Sequence, residues 1–314
     1  MSYEEFLQQI ELRVKKRIGK EVRTRIIPVL KNNSVKLDSL SILEQDNHIS
    51  PAIYLNGYYR EYLSGTSMDA IIARIMGCYY RGKRIGNLDT SFFTETEKMK
   101  THVVCRLINF EKNQKILDEV PHRIFLNLAI VYYCVMEHET IGMAAVLVRR
   151  EHLGMWGIDE KTLHDAAVRN TKRMFPWDFR SMSELINSMM NTELLQDSSQ
   201  EVPLFVLSNK DKSFGAVWMT DAEILEKIGE KLKDNYYILP SSVHECLIVP
   251  AAVVSDERML LEMVQEINET QVEPEEVLAD AVYQYDRGQK KLSVLMQLLG
   301  NCETPQKSTE YSKY

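Results

Sequence analysis

Apolar residues recur at two periods along this 314-residue chain, and the changes of period mark its elements. Phe6, Ile10, Val14 and Ile18 stand four apart behind a capping box of Ser2 and Glu5, which predicts a first helix ending near Gly19. Two β-prone runs, 21–30 and 35–43, flank Lys31, Asn32, Asn33 and Ser34. The asparagines tolerate the positive φ of a tight turn, so a hairpin is predicted. A helical stretch is expected from Ser50 and Pro51 through Tyr54, Tyr58 and Tyr62. A second runs from Ala70 to about Tyr80, with Ile71, Ile72, Ile75 and Met76 facing inwards.

Residues 81–98 are polar and turn-rich and read as an internal boundary. Beyond them the runs 103–110, 124–136 and 143–148 are nearly all apolar, the last two separated by a short loop with Gly142, as in a buried antiparallel hairpin. Asp159 then caps a helix to about Met174. A similar order follows: a strand at 203–207, a second strand at 215–219, and a helix opened by Thr220 and Glu223. That parallel suggests an internal duplication. After the apolar runs that flank residues 240–245, a helix at 255–267, a strand at 282–285 and a last apolar segment at 291–299 complete the pattern.

The expected class is α+β, a mainly antiparallel sheet built from strand-strand-helix units, with a helical and hairpin N-terminal part. The expected division is 1–90, 91–300 and a disordered tail over 301–314, where Pro, Ser, Thr and Lys replace apolar residues.

Composition narrows the function. The net charge of −7 opposes a nucleic-acid role, which would need a local basic face. Arg13, Lys15, Lys16, Arg17 and Lys20 on the first helix offer one, although such stripes are more often solvated faces. Residues 256–286 carry ten acids, a surface that is either solvation or a preference for a basic partner. The five cysteines, Cys78, Cys105, Cys134, Cys246 and Cys302, are scattered without a Cys-x-x-Cys pair and read as buried reduced thiols. No apolar run reaches the length of about 18 residues that a membrane span needs, and the first residues form no secretory signal. A cytoplasmic protein is expected, with no membrane partner.

Candidate chemistry concentrates at residues 240–245, where Pro240, Ser241, Ser242, Val243, His244 and Glu245 interrupt two β-prone runs. If the chain is extended from Ser242 onward, Ser242, His244 and Cys246 share one face. Same-face neighbours then lie about 6.6–7 Å apart, beyond direct hydrogen-bond reach, so a hydrolase-like arrangement of Ser242 or Cys246 with His244 and Glu245 needs a bend. The plainer reading has the serines turning the chain while His244 and Glu245 start the next strand. Elsewhere, Glu137, His138 and Glu139 lack a partner histidine at metal spacing, and Glu160 with His164 reads as an exposed i,i+4 pair. Tyr54, Tyr58, Tyr59, Tyr62, Tyr79 and Tyr80 read as core aromatics with hydroxyls reaching the surface. No nucleotide, metal or cofactor motif is present, and no cofactor is expected.

Several phrases carry a resemblance. Residues 107–113, 120–123, 126–133 and 237–245, together with 53–59 and 153–170, resemble a bacterial family known only as a domain of unknown function, number 5688. That pattern carries an acid where this chain has Asn127. Residues 240–292 resemble, more distantly, the C-terminal part of a second such family. Neither resemblance implies an activity, substrate or cofactor. The sequence therefore leads to a non-enzymatic binding or regulatory module that meets a protein partner near residues 240–245 and the Tyr-rich helices, with the hydrolase-like enzyme as the alternative.

Overall fold

The computed structural model describes residues 1–19, 22–43, 52–84, 90–138, 142–190 and 203–297. The expected tail at 301–314, Ser50, Pro51, Lys20, Glu139 and Cys302 lie outside the described residues. The fold is α+β, and every strand pairing among the described residues is antiparallel. No helix among the described residues is long and apolar enough to cross a membrane.

Helix α1 (Tyr3–Ile18) starts at the expected box: the Ser2 hydroxyl accepts from the Glu5 N–H and the Glu5 carboxylate accepts from the Ser2 N–H. Its four-residue period buries Phe6, Ile10 and Val14. Strands β1 (Arg23–Leu30) and β2 (Lys36–Leu43) form the expected hairpin, in register from Arg23 opposite Leu43 to Leu30 opposite Lys36. Strand β3 (Ile53–Tyr54) adds to β2, so the expected helix begins later, at α2 (Leu55–Leu63). With α3 (Met68–Arg84), these elements close a core of their own around Phe6, Ile10, Leu40, Ile71, Ile72 and Ile75.

The stretch read as a polar boundary holds two short helices, α4 (Ser91–Thr94) and α5 (Thr96–His102), whose Phe92 and Met99 are already inside the main core. A four-stranded sheet follows: β4 (Val103–Asn109), then α6 (Gln114–Leu117), β5 (Arg123–Phe125), β6 (Leu128–His138) and β7 (Gly142–Leu147). The apolar run 124–136, expected as one strand, is two. Leu126 turns the chain at φ +54, and β5 folds back on β6. Helices α7 (Arg150–Trp156) and α8 (Glu160–Met174) come next, α8 capped by Asp159 as expected.

The third part comprises β8 (Trp177–Ser181), α9 (Met182–Met190), β9 (Phe205–Asn209), α10 (Ala222–Leu232), β10 (Tyr236–Leu239), β11 (Cys246–Pro250), α11 (Arg258–Thr270), β12 (Ala281–Asp286) and β13 (Lys291–Gln297). Residues Gly215–Thr220, expected as a strand, form a 3-10 helix with Gly215 to Met219 all buried. A short run that is apolar all round fits a buried helical turn as well as a strand, which is why periodicity misassigned it. The N-cap of α10 is accordingly Asp221, whose carboxylate accepts from the Glu223 and Ile224 amides.

The six strands lie in the order β13-β12-β10-β11-β9-β8, with β10 and β11 at the centre. Both faces of this sheet are covered. Leu207, Ile238, Cys246, Ile248 and Tyr283 face a core shared with the four-stranded sheet. Their neighbours Val206, Tyr237, Leu247, Val249 and Val282 face a second cluster with Leu260 and Val264 of α11 and Leu185 of α9. Burial on both faces is what makes these strands continuously apolar rather than alternating.

One irregular segment joins the parts. Six successive carbonyls, from Pro274 to Ala279, each accept a hydrogen bond, and asparagine amides supply five of them. Asn33 donates to Pro274 at 2.9 Å and to Val277 at 2.7 Å, and Asn32 to Glu275 at 2.8 Å. Val243 donates its N–H to Glu276 at 2.9 Å, Asn109 donates to Leu278 at 3.2 Å, and Asn268 to Ala279 at 3.1 Å. The hairpin tip is held further by Asn113, which accepts from the Asn33 N–H at 2.7 Å.

Asn33 sits at φ +59, a conformation that asparagine tolerates better than alanine. Asn33→Ala should therefore cost about 3 kcal/mol, from three lost side-chain hydrogen bonds, one of them exposed, and backbone strain. Asn33→Gly, which loses the bonds without the strain, should cost about 2 kcal/mol. Urea denaturation of the two variants beside the wild type measures the difference.

Candidate functional site

The stretch at residues 240–245 links the two central strands of the six-stranded sheet, and several of its polar groups are bonded inside the chain. The Ser242 hydroxyl accepts from the His244 N–H at 3.1 Å and from the Glu245 N–H at 3.3 Å. Serine in this position satisfies two amides that the turn would otherwise strand. Ser242 also bridges to Val277, and the Ser241 carbonyl accepts from the Leu278 N–H. Both serines are buried.

Both ring nitrogens of His244 face a neighbour. Its Nδ1 accepts from the Phe214 N–H at 3.3 Å, which leaves the ring proton on Nε2, 3.4 Å from the Glu276 carboxylate. The Phe214 ring stacks on the imidazole at 6.2 Å, and Phe214 is itself in the left-handed region at φ +59. The His244 carbonyl accepts from the Ser208 hydroxyl at 2.8 Å. Between them lies Gly215, where an added Cβ would stand 2.5 Å from both the His244 carbonyl oxygen and the Ser208 hydroxyl. A serine nucleophile needs a base within hydrogen-bond reach; here both imidazole nitrogens have other partners. Cys246 is buried, and burial followed by the nearby Glu245 charge pushes its thiol well above the ordinary range. The Glu245 side chain is half-buried.

The chemistry gathers instead in a cavity of about 360 Å³ between α8, the four-stranded sheet and the start of α10. One face of α8 supplies His164, Val168, Thr171 and Lys172, at the i, i+4, i+7 and i+8 positions of a helix stripe. Cys105, Phe125 and Ile130 come from β4, β5 and β6, and Val217 and Trp218 from the 3-10 helix. Thr220, Asp221 and Glu223 close the far end.

Two polar groups in this cavity are fixed by neighbours. The Tyr132 hydroxyl lies 3.0 Å from His164 Nδ1, with the Arg123 guanidinium beside it. Burial above all keeps the phenol protonated, and Arg123 can only donate, so the Tyr132 proton goes to Nδ1 and the ring proton is assigned to Nε2. Burial and then the Arg123 charge lower the His164 pKa, which keeps the imidazole neutral. At the other end Lys172 pairs with Asp221 at 2.8 Å, and that hydrogen bond raises the Lys172 pKa. The expected exposed pair of Glu160 with His164 does not form: Glu160 bonds Arg150 at 2.6 Å and His164 turns to Tyr132. The helix spacing was right, but partners from outside the helix won. Sequence reasoning missed this cavity because its walls come from four separated segments; the signal present was the polar and apolar mixture along the His164 to Lys172 stripe.

The remaining expectations can be placed. Among the described residues, no group of three or more His, Cys, Asp or Glu is arranged to hold a metal ion. Cys105 and Cys134 are buried free thiols, both pushed up to about 12 by burial. Three tyrosine hydroxyls of the N-terminal part are bonded internally, Tyr3 to Asp38, Tyr59 to the Met1 carbonyl and Tyr58 to the Cys78 sulfur, while Tyr80 is half exposed.

A family model described as a family of unknown function, DUF5688, matches residues 3–287, from α1 through β12. The chain belongs to that family. No curated protein and no solved structure matches the chain. The phrases that first suggested DUF5688 are structural ones: residues 237–245 are β10 with the buried corner, and 126–133 are the tight turn with most of β6. Asn127 in that turn accepts from the Tyr283 hydroxyl and donates to the Gln297 amide oxygen. A carboxylate there would keep the first bond and lose the second.

Gly215→Ala should destabilise the chain by about 3 kcal/mol or prevent folding, because its neighbours are backbone and a bonded hydroxyl that cannot retreat. Ser242→Ala should cost about 2 kcal/mol, the penalty of two amides losing their acceptor. Equilibrium denaturation measures both. For His164 the folded pKa is depressed, so the unfolded chain binds a proton first as pH falls. Stability should decline as pH drops below the ordinary histidine value and level off once it passes the folded one. His164→Gln should flatten that decline in urea titrations between pH 7.5 and 5.

Proposed function

We propose that this DUF5688 chain is a binding or regulatory module, not an enzyme, and that it holds a small ligand in the cavity between α8 and α10. The observation that carries the reading is the make-up of the cavity. It joins an apolar floor of Ile130, Val168 and Val217 to a neutral histidine with an assigned tautomer and to one ion pair. Pockets of a few hundred Å³ with apolar walls and a few placed polar groups are the usual form of small-ligand sites. The corner at residues 240–245 then serves as the rigid frame of the central strands. The Ser242 hydroxyl and His244 Nδ1 accept from backbone amides and the Ser241 carbonyl accepts from Leu278, which supports a structural role for Ser241, Ser242 and His244. Four free thiols, Cys78, Cys105, Cys134 and Cys246, support a place in the reducing cytoplasm.

The test fills the cavity. Val168 is half-buried on the α8 stripe, and Val168→Trp puts an indole where a ligand would sit. Ligand-observed NMR with a panel of small apolar acids, amines and amino acids should find binders to the wild type that the variant no longer holds. The urea midpoint of the variant, with Val168→Phe as a milder filling, reports that the fold survives. Binding that persists in a folded Val168→Trp variant, or no binder in the panel, overturns the reading.

A further inference from the structure

The cavity has two chemically different ends. His164 and Lys172 are eight residues apart on α8, which sets the ends about 12 Å apart along the helix axis. At the His164 end the polar group offered is an N–H donor on a neutral ring, with the Arg123 guanidinium behind it. This end recognises a hydrogen-bond acceptor, and the Arg123 charge acts on the ring more strongly than the opposing charge of Asp165. At the α10 end the lining carries Lys172, Asp221 and Glu223, two acids against one base. Lys172 and Asp221 satisfy each other, and Asp221 also caps the helix. The Glu223 carboxylate is exposed and its charge acts on Lys172, but it has no hydrogen-bond partner among the described residues, so of the two acids around Lys172 it is the one left open. Between the ends, Phe125, Ile130, Val168, Val217 and Trp218 form an apolar wall.

Resting on the ligand site proposed above, we infer that the cavity takes a linear ligand with three parts in sequence. A terminal ammonium meets Glu223, an apolar body lies along the α8 stripe, and a carbonyl or carboxylate accepts from His164 Nε2–H. A short apolar peptide with a free N-terminus and an ω-amino acid share this chemistry. A simple fatty acid lacks the ammonium and a simple alkylamine lacks the acceptor, so each leaves one end of the cavity unanswered. The lone carboxylate of Glu223 and the donor of His164 then act as two separate selectors rather than one charged pocket.

The experiment is calorimetric titration of the full chain with four probes: 6-aminohexanoate, the dipeptide Leu-Leu, hexylamine and hexanoate. A two-ended probe should bind at least tenfold more tightly than either one-ended probe, since each end adds a charge-assisted hydrogen bond. Glu223→Gln, an exposed substitution that touches no other bond, should remove that advantage and leave hexanoate binding unchanged. His164→Phe should weaken hexanoate at least tenfold and leave hexylamine unchanged, while His164→Asn, which keeps an N–H donor, should restore part of the loss. The peptide binding more tightly than the ω-amino acid, or the reverse, identifies the source of the shared chemistry. Equal binding of one-ended and two-ended probes, or no effect of Glu223→Gln, overturns this inference while the cavity remains a ligand site. No binding of any probe, together with no binder lost on Val168→Trp, overturns both.

Discussion

The backbone of residues 274–279 runs between the N-terminal hairpin, the four-stranded sheet and the six-stranded sheet without belonging to any strand. Val277, Leu278 and Ala279 are buried, and buried carbonyls without partners cost about as much as lost hydrogen bonds, so that half of the segment is stable only if something supplies donors. Asparagine amides do so from three directions, Asn32 and Asn33 from the hairpin tip, Asn109 from the end of β4 and Asn268 from α11, with the Val243 amide completing the row. A side-chain amide suits this task because it carries two N–H donors on a short stem, and Asn33 uses both. The N-terminal core is thereby tied to the rest of the molecule by directional bonds rather than by apolar area alone.

The same row explains the buried corner at residues 240–245. The corner joins two strands covered on both faces, so the polar groups of its buried Ser241 and Ser242 must find partners in the chain. Ser242 collects the amides of the turn, Val243 and Ser241 bond the 274–279 segment, and His244 bonds Phe214 and faces Glu276. Polar residues gathered between apolar strands look like a catalytic site because both arrangements need fixed hydrogen bonds. The difference lies in whether any donor or acceptor is left pointing at open space. His244 Nδ1 and the Ser242 oxygen are taken up by backbone amides, whereas His164 lines a cavity.

Much of the fold could be read from pattern alone. The i+4 spacing of Phe6, Ile10 and Val14, the Ser2 and Asp159 caps and the two asparagines of the hairpin tip are local signals with local consequences. The errors have local causes too. Residues Gly215–Thr220 are apolar on every side and carry no period, and the run at 124–136 hides a turn at Leu126 that no glycine or proline announces. The ligand cavity was beyond the reach of sequence because it is a tertiary object. Lys172 pairs with Asp221 from another element, and His164 leaves Glu160, its helical neighbour, for Tyr132 of β6. Side chains of mixed character along one helix face, His164, Val168, Thr171 and Lys172, were the trace of it in one dimension.

The central claim is that the most conspicuous polar stretch of the chain is part of its rigid frame and not a working loop. Native-state hydrogen exchange tests it directly, because the amides of Phe214, Val243, His244, Glu245 and Leu278 are all donors in the proposed frame. The account predicts that these amides open with the same free energy as those of the central strands, such as Ile238 and Ile248. Exchange of the corner amides at the rate of an open loop, while the strands stay protected, would contradict it.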